Sequence, residues 1–183
     1  YKVIDALYIK QTGPGYTYDF YMKAENMEPL HLVLTDHGGE INDQRVEIEF
    51  SKVKIKMKLG AGEQIKEKVF KKKEDELIFP ADQFAVLLRN LDFSKAKTEF
   101  KGLIYQYPYI CTMVFVVEGQ ERISVQAGDF DTYKVKLTLP GFKSIFFKAY
   151  FWVSTEEPHY LIKYEGKRHK NTVVTELVKI EEL

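Results

Sequence analysis

The chain has 183 residues, of which 45% are hydrophobic, 14% aromatic and 30% charged, a composition typical of a globular protein with a sheet-based core. Its 27 basic and 27 acidic residues cancel, and only four are arginines, which argues against nucleic acid as a partner. The single cysteine, Cys111, excludes an internal disulfide, and no apolar run reaches the ~18 residues of a membrane span. The length predicts one β-rich domain over residues 1–183.

The N-terminal half predicts a series of short strands. Two-residue alternation recurs between turn residues at 3–10, 16–24, 30–35, 46–50, 53–59 and 64–70. The apolar positions change from even to odd near Ser51 and Lys52, which predicts a turn or a bulge there. The charged segment from Lys71 to Glu76 is interpreted as a solvated hairpin tip.

One segment departs from the strand pattern and predicts a short amphipathic helix at about residues 81–91. Its apolar residues fall at i, i+3, i+4 and i+7, namely Phe84, Leu87, Leu88 and Leu91. Asp82 precedes them, at a position that suits a helix N-terminus.

Strand-like alternation resumes at about Thr98 and continues to the end of the chain, with breaks at Tyr107-Pro108, Glu118-Gly119, Gly128-Asp129, Pro140-Gly141, Glu157-Pro158 and Glu165-Gly166. We expect Gly128 to occupy a turn conformation closed to side chains. The pattern predicts a mainly β fold: a strongly curved antiparallel sheet or half-open β-barrel, with the helix plugging or flanking its concave side.

Aromatic residues crowd two places, around Pro108 and between Phe142 and Trp152. The second group has Phe147 and Phe151 on one strand face and Tyr150 and Trp152 on the other. Packing under the helix explains such a strand, and so does a face that meets a ligand or a partner. The residues predicted to bind an apolar ligand are Phe84, Leu88, Phe147, Phe151, Tyr150 and Trp152.

Four lysines form a one-sided basic stripe: Lys52, Lys54, Lys56 and Lys58. An exposed sheet face or a protected strand edge accounts for such a stripe, since lysine guards edges against pairing. Attraction to anionic lipid head groups is the alternative.

The residue types that catalysis requires are dispersed. His31, His37, His159 and His169 form no metal-binding pair, and each is interpreted as a surface or turn residue. No serine lies in a nucleophile motif, and the apolar surroundings of Cys111 should raise the pKa of its thiol. Glu176 shares a strand face with apolar residues, so pairing with Arg89 or a lysine is expected. We predict no enzyme activity, no cofactor and no metal.

The C-terminal ~100 residues, compared by strand and helix order, resemble the bacterial family catalogued as domain of unknown function 3108. The segments that carry the resemblance are Val86-Leu87-Leu88-Arg89, Gln126-Ala127-Gly128-Asp129-Phe130-Asp131-Thr132-Tyr133-Lys134-Val135, Phe151-Trp152-Val153-Ser154, Tyr160-Leu161-Ile162-Lys163-Tyr164 and Glu176-Leu177-Val178. Two positions depart from the family pattern, since Gln126 stands for a proline and Asp129 for a threonine.

The resemblance implies a periplasmic or cell-envelope location, a distant likeness to open-barrel lipoprotein carriers, and no established catalytic residues. Because the chain begins at Tyr1, a signal peptide is one candidate for what preceded it. We therefore expect a monomeric, non-enzymatic envelope domain that binds a lipid or another apolar small molecule on the concave sheet face. The alternative is a protein-interaction or structural module with a self-filled core and an exposed strand edge that recruits an envelope protein.

Overall fold

The computed structural model describes residues 5–13, 15–36, 45–61, 64–74, 76–81, 83–104, 108–145, 147–168 and 171–180. These residues form mostly β-strands with one short helix, which confirms the predicted fold class. The chain divides into two compact units, one of Tyr1–Phe79 with Leu103–Ile110 and one of Pro80–Gly102 with Cys111–Leu183. The prediction of a single domain stays a prediction.

Six strands in chain order form an antiparallel meander, sheet A. They are β1 (Ala6–Gly13), β2 (Tyr16–Lys23), β3 (Pro29–Asp36), β4 (Arg45–Phe50), β5 (Lys54–Ala61) and β6 (Gln64–Lys71). The register places four buried side chains in one row across the sheet: Phe20, Leu32, Ile48 and Met57. The change of apolar phase near Ser51 is a turn, in which the Ser51 N–H donates to the Lys54 carbonyl.

Seven strands form sheet B, in which β9 to β13 pair antiparallel in chain order, and the sheet curls into an open half-barrel. They are β7 (Ile78–Pro80), β8 (Lys97–Ile104), β9 (Tyr109–Val125), β10 (Gly128–Thr138), β11 (Lys148–Ser154), β12 (Leu161–Arg168) and β13 (Asn171–Glu176). A 3₁₀ helix at Gly141–Ile145 lies in the β10–β11 loop.

The segment from Lys71 to Glu76 differs from its prediction. It connects β6 of sheet A to β7 of sheet B, so it is not a hairpin tip. The predicted break at Glu165-Gly166 also differs, since β12 continues through both residues.

Two further sequence-predicted boundaries differ from the structure. The helix α1 spans Phe84–Arg89 and is shorter than predicted, because the residues on either side, Gln83 and Asn90, have non-helical backbone angles; Asp82 lies outside the described residues. The predicted break at Glu118-Gly119 is a bulge within a continuous β9, where one extra residue shifts the register with β10. The prediction for Gly128 is confirmed, since its φ is +130°.

Candidate functional site

Four of the six predicted ligand-binding residues lie together against one face of sheet B. Leu88 and Phe151 are buried there, and Phe84 and Phe147 pack against them. The Phe84 ring meets the Phe151 ring edge to face at a centroid distance of 6.4 Å. These residues belong to a larger hydrophobic cluster, which we call the α1 cluster. Its buried members are Leu88, Leu91, Met113, Phe115, Val135, Leu137, Ala149, Phe151 and Val153.

The α1 cluster is filled by side chains of the protein itself. Leu88, Val135 and Leu137 are fully buried. The rings of Phe100 and Phe115 stack at a centroid distance of 4.7 Å on the same side of the sheet. An apolar ligand on this face would have to displace α1, so the packing favours the self-filled interpretation of the aromatic residues.

The other two predicted ligand-binding residues, Tyr150 and Trp152, lie on the opposite face of β11, because strand side chains alternate. The register places Lys134 and Lys163 beside Trp152 on the two neighbouring strands. Their ammonium groups lie 5.2 and 5.5 Å from the indole ring, within cation–π range. The indole N–H donates to the Glu121 carboxylate. The buried Trp152 ring is therefore already engaged by the protein.

The charges around Trp152 are paired. Lys134 lies 3.4 Å from Glu121, and Lys163 lies 2.9 Å from Glu176. The hydrogen bond from Trp152 and the nearby ammonium of Lys134 lower the pKa of Glu121. Glu176 thus pairs with a lysine, one of the two kinds of partner expected for it. The six predicted residues occupy two faces and form no single site, and their role in ligand binding stays a prediction.

Strand β6 is an exposed edge of sheet A. Seven of its eight side chains are exposed, and its one neighbour in the sheet is β5. Ile65 and Val69, which share a face, are 62% and 52% exposed. Within the described residues, no backbone hydrogen bond joins Gln64–Lys71 to a segment other than β5. Sequence reasoning missed this edge, although two apolar residues among charged ones in a short strand are typical of one.

Three members of the lysine stripe are paired with carboxylates. Lys52 lies 3.2 Å from Glu74, Lys56 lies 3.2 Å from Glu67, and Lys58 lies 3.9 Å from Glu47. These pairs leave the stripe with little net charge to attract anionic lipid.

The fourth member, Lys54, lies directly opposite Lys71 of β6 in the sheet register, a like-charge neighbour. Neither ammonium has a carboxylate within 4 Å among the described residues. The β6 edge thus carries an uncompensated positive pair.

Two predicted turn or surface histidines have separate partners. His31 lies 3.2 Å from Glu47 on sheet A, and His159 belongs to the second unit. His159 has φ 58°, in the left-handed region, and its Nδ1 lies 2.9 Å from the Ser154 carbonyl oxygen. Since a carbonyl only accepts, the Nδ1–H of His159 donates this hydrogen bond. The Phe93 ring meets the imidazole edge to face at 5.0 Å.

Nothing in the described part of the chain brings three or more metal-ligating side chains together; His37 and His169 lie outside it. The pKa of Cys111 is raised mainly by burial, as its apolar surroundings predict, so the thiol is a poor nucleophile. The absence of enzyme activity, metal and cofactor stays a prediction.

The β10–β11 loop carries two apolar residues that sequence reasoning did not place in a site. Phe142 and Ile145 are 79% and 70% exposed, more than any other large hydrophobic residue among those described. In the sequence, Phe142 belongs to the same aromatic group as the residues of β11. The Pro140-Gly141 turn that precedes it is the signal that places it in the loop instead.

No protein-family model, curated protein or solved structure matches this chain. The resemblance to domain of unknown function 3108 therefore stays a prediction. No helix among the described residues is long and apolar enough to span a membrane.

Proposed function

We propose that this protein is a non-enzymatic interaction module that pairs its exposed β6 strand with an extended segment of another protein. The observation that carries the proposal is the edge of β6, which pairs with β5 alone among the described residues and exposes Ile65 and Val69 on one face. One side chain of the strand, Lys68, donates a 2.5 Å hydrogen bond to the Pro108 carbonyl. An extended peptide added to such an edge gains backbone hydrogen bonds, and its alternate side chains meet those of the edge strand. The self-filled α1 cluster supports an interaction module over an apolar-ligand carrier.

The side chains of β6 define what the partner strand should carry. Along one face, β6 presents Ile65, Glu67, Val69 and Lys71 at every second position. Direct cross-strand neighbours interact most strongly, and opposite charges or apolar pairs are favourable. The matching strand carries apolar, basic, apolar and acidic residues at alternate positions.

The acidic position of the partner strand should contribute most to binding, because it meets the uncompensated pair of Lys54 and Lys71. In the unbound protein, Lys71 and Lys54 repel each other across the strand pair. A carboxylate placed beside Lys71 reduces this repulsion. The lysines of β6 also disfavour pairing of this edge with another copy of itself, since lysine is a common guard against pairing of sheet edges.

Selection from a displayed library of random peptides tests the proposal. We expect the selected peptides to carry the alternation given above and to protect the backbone amides of Gln64–Lys71 from hydrogen exchange. Ile65→Lys with Val69→Lys should weaken binding at least about tenfold, which corresponds to about 1.4 kcal/mol. Lys71→Glu should shift the selected peptides away from the acidic residue.

Leu7→Lys is the matched control, because Leu7 is 42% exposed on β1 at the other edge of the same sheet. It should leave peptide binding unchanged. Peptides that bind without protecting the β6 amides, or that bind both β6 variants as tightly as the parent, would contradict the proposal.

The cell-envelope location belongs to this proposal and is supported by the resemblance of the C-terminal segments alone. Fractionation of the source cells checks it, because a partner of this kind would have to share the compartment. Native mass spectrometry after gentle purification checks the apolar-ligand alternative, which requires a retained or acquired lipid mass.

A further inference from the structure

The β10–β11 loop holds two apolar side chains away from the core. Phe142 and Ile145 lie in the 3₁₀ helix and are 79% and 70% exposed. Transfer of such side chains out of water is favourable, so a loop that keeps both exposed is expected to meet something apolar.

The position of this loop is set by specific contacts. The buried Thr138 hydroxyl lies 2.9 Å from the Phe147 carbonyl oxygen and 3.3 Å from that of Ser144, and Phe147 packs against the α1 cluster. The 3₁₀ helix begins at Gly141, which has a φ of +63°. The Thr138 hydroxyl thus ties the start of the loop to its later part, and Phe142 and Ile145 are exposed on either side of Ser144.

Two lysines lie within the loop or at its end. Lys143 lies between Phe142 and Ile145, and Lys148 begins β11; both side chains are exposed. Lys101 donates a 2.9 Å hydrogen bond to Thr112 on the neighbouring strand. The positive charges of Lys101 and Lys143 both act to lower the pKa of the Cys111 thiol, against the larger effect of burial, so both lie near Cys111.

The end of β12 is level with the β10–β11 loop, because Ala149 of β11 lies opposite Gly166. No aspartate or glutamate occurs from Lys136 to Thr155 in the sequence. In the register, Glu165 lies opposite Tyr150, further from this end. None of Lys101, Lys143 and Lys148 has a carboxylate within 4 Å among the described residues.

We propose that this loop docks the protein on an anionic lipid surface, with Phe142 and Ile145 entering the head-group region and the lysines contacting acidic head groups. Interfacial binding of this kind combines buried apolar area with attraction to anionic lipid. Phe142 and Ile145 suit the apolar part of a lipid surface, and the nearby lysines without carboxylate partners suit its acidic head groups. The combination favours a lipid surface over an acidic protein. The inference goes beyond the proposed function, and it concerns the second unit, whereas β6 belongs to the first.

Flotation with vesicles tests the inference. The protein should bind vesicles of phosphatidylglycerol and phosphatidylcholine, and bind phosphatidylcholine alone much more weakly. Phe142→Ser with Ile145→Ser should weaken binding at least about tenfold. Lys143→Gln and Lys148→Gln should each weaken it roughly fivefold, and added salt should reduce the difference.

Val174→Ser with Val178→Ser is the matched control, because these exposed valines of the same unit lie outside the loop. It should leave vesicle binding unchanged. All variants change exposed residues, and unchanged unfolding followed by Trp152 fluorescence establishes that they fold. In the Phe142→Trp variant, the additional indole emission should be quenched by brominated lipid.

Each opposite result would overturn the inference. Two results with the parent protein count against it: no binding to either vesicle, and equal binding to both. Two results with variants do the same: unchanged binding of the Phe142→Ser, Ile145→Ser variant, and an indole at position 142 that brominated lipid does not quench. Binding of polyglutamate through Lys143 without binding to vesicles would assign the loop to an acidic protein instead.

Discussion

The packing of α1 on sheet B yields a prediction for Leu88→Ala. Leu88 is fully buried in the α1 cluster, whereas Leu87, the adjacent residue, is only partly buried at its margin. The sequence pattern predicts that truncation of either residue to alanine lowers the free energy of unfolding by a similar amount, because both lie on the apolar helix face. The structure predicts a larger loss for Leu88, which is more deeply buried.

The magnitude follows from what surrounds Leu88. Truncation of a fully buried leucine costs its transfer free energy plus that of the cavity left behind, and cavities that cannot collapse cost most. The Phe115 and Phe151 rings of the cluster are held at a centroid distance of 6.2 Å, on strands fixed by cross-strand pairing. Leu88→Ala should therefore lower the free energy of unfolding by about 3–5 kcal/mol, and Leu87→Ala by about 1–2 kcal/mol.

Urea unfolding followed by the fluorescence of Trp152 measures both values. Trp152 is the single tryptophan of the chain and belongs to the same unit as α1, so its signal reports the unfolding of that unit. A Leu88→Ala variant within about 1 kcal/mol of the parent, or one less affected than Leu87→Ala, would show that α1 is not docked as described.

Three further predictions concern local interactions. Gly128→Val should lower the free energy of unfolding by about 1 kcal/mol or more, measured by urea unfolding, because side chains are strained at its positive φ. The pKa of Glu121 is lowered by Trp152, so this interaction stabilises the fold above the ordinary carboxyl pKa and is lost as pH falls through the lowered value. Glu121→Gln should remove that part of the acid dependence of stability. A hydrogen bond to Asp19 raises the pKa of Tyr8 to about 12, so stability from this bond is present below the ordinary tyrosine pKa and lost as pH rises through 12. Ultraviolet titration should show the ionisation of Tyr8 at lower pH in Asp19→Asn.

The strand periodicity of the sequence was sufficient for the fold class, because burial on one face of a sheet produces alternation that is visible in a single strand. Tyr133, Val135 and Leu137 show it, and all three contact the α1 cluster or belong to it. The apolar spacing of α1 also predicted which helix face docks. The ends of α1 were less predictable, since backbone angles at Gln83 and Asn90 depend on tertiary contacts.

The candidate sites were predicted less well because they depend on neighbours that lie far apart in the sequence. Alternation placed Trp152 on the other face from Phe151, but it did not reveal that lysines on both adjacent strands cover the indole. The aromatic grouping in the sequence also did not distinguish Phe142 from the residues of β11. Its exposure results from a loop that begins beyond the last paired residues of β10 and β11, Thr138 and Lys148.

The balanced total charge of the chain illustrates the same dependence on register. Equal numbers of acidic and basic residues argue against a polyanion as the main partner when charges are evenly mixed. In the fold they are sorted: Lys56 and Lys58 lie near carboxylates, whereas Lys71 faces a lysine and Lys143 belongs to a segment without acidic residues. Fields near a surface depend mainly on charges within about 8 Å in physiological salt. The two proposed interactions therefore depend on these local excesses and not on the net charge of the chain.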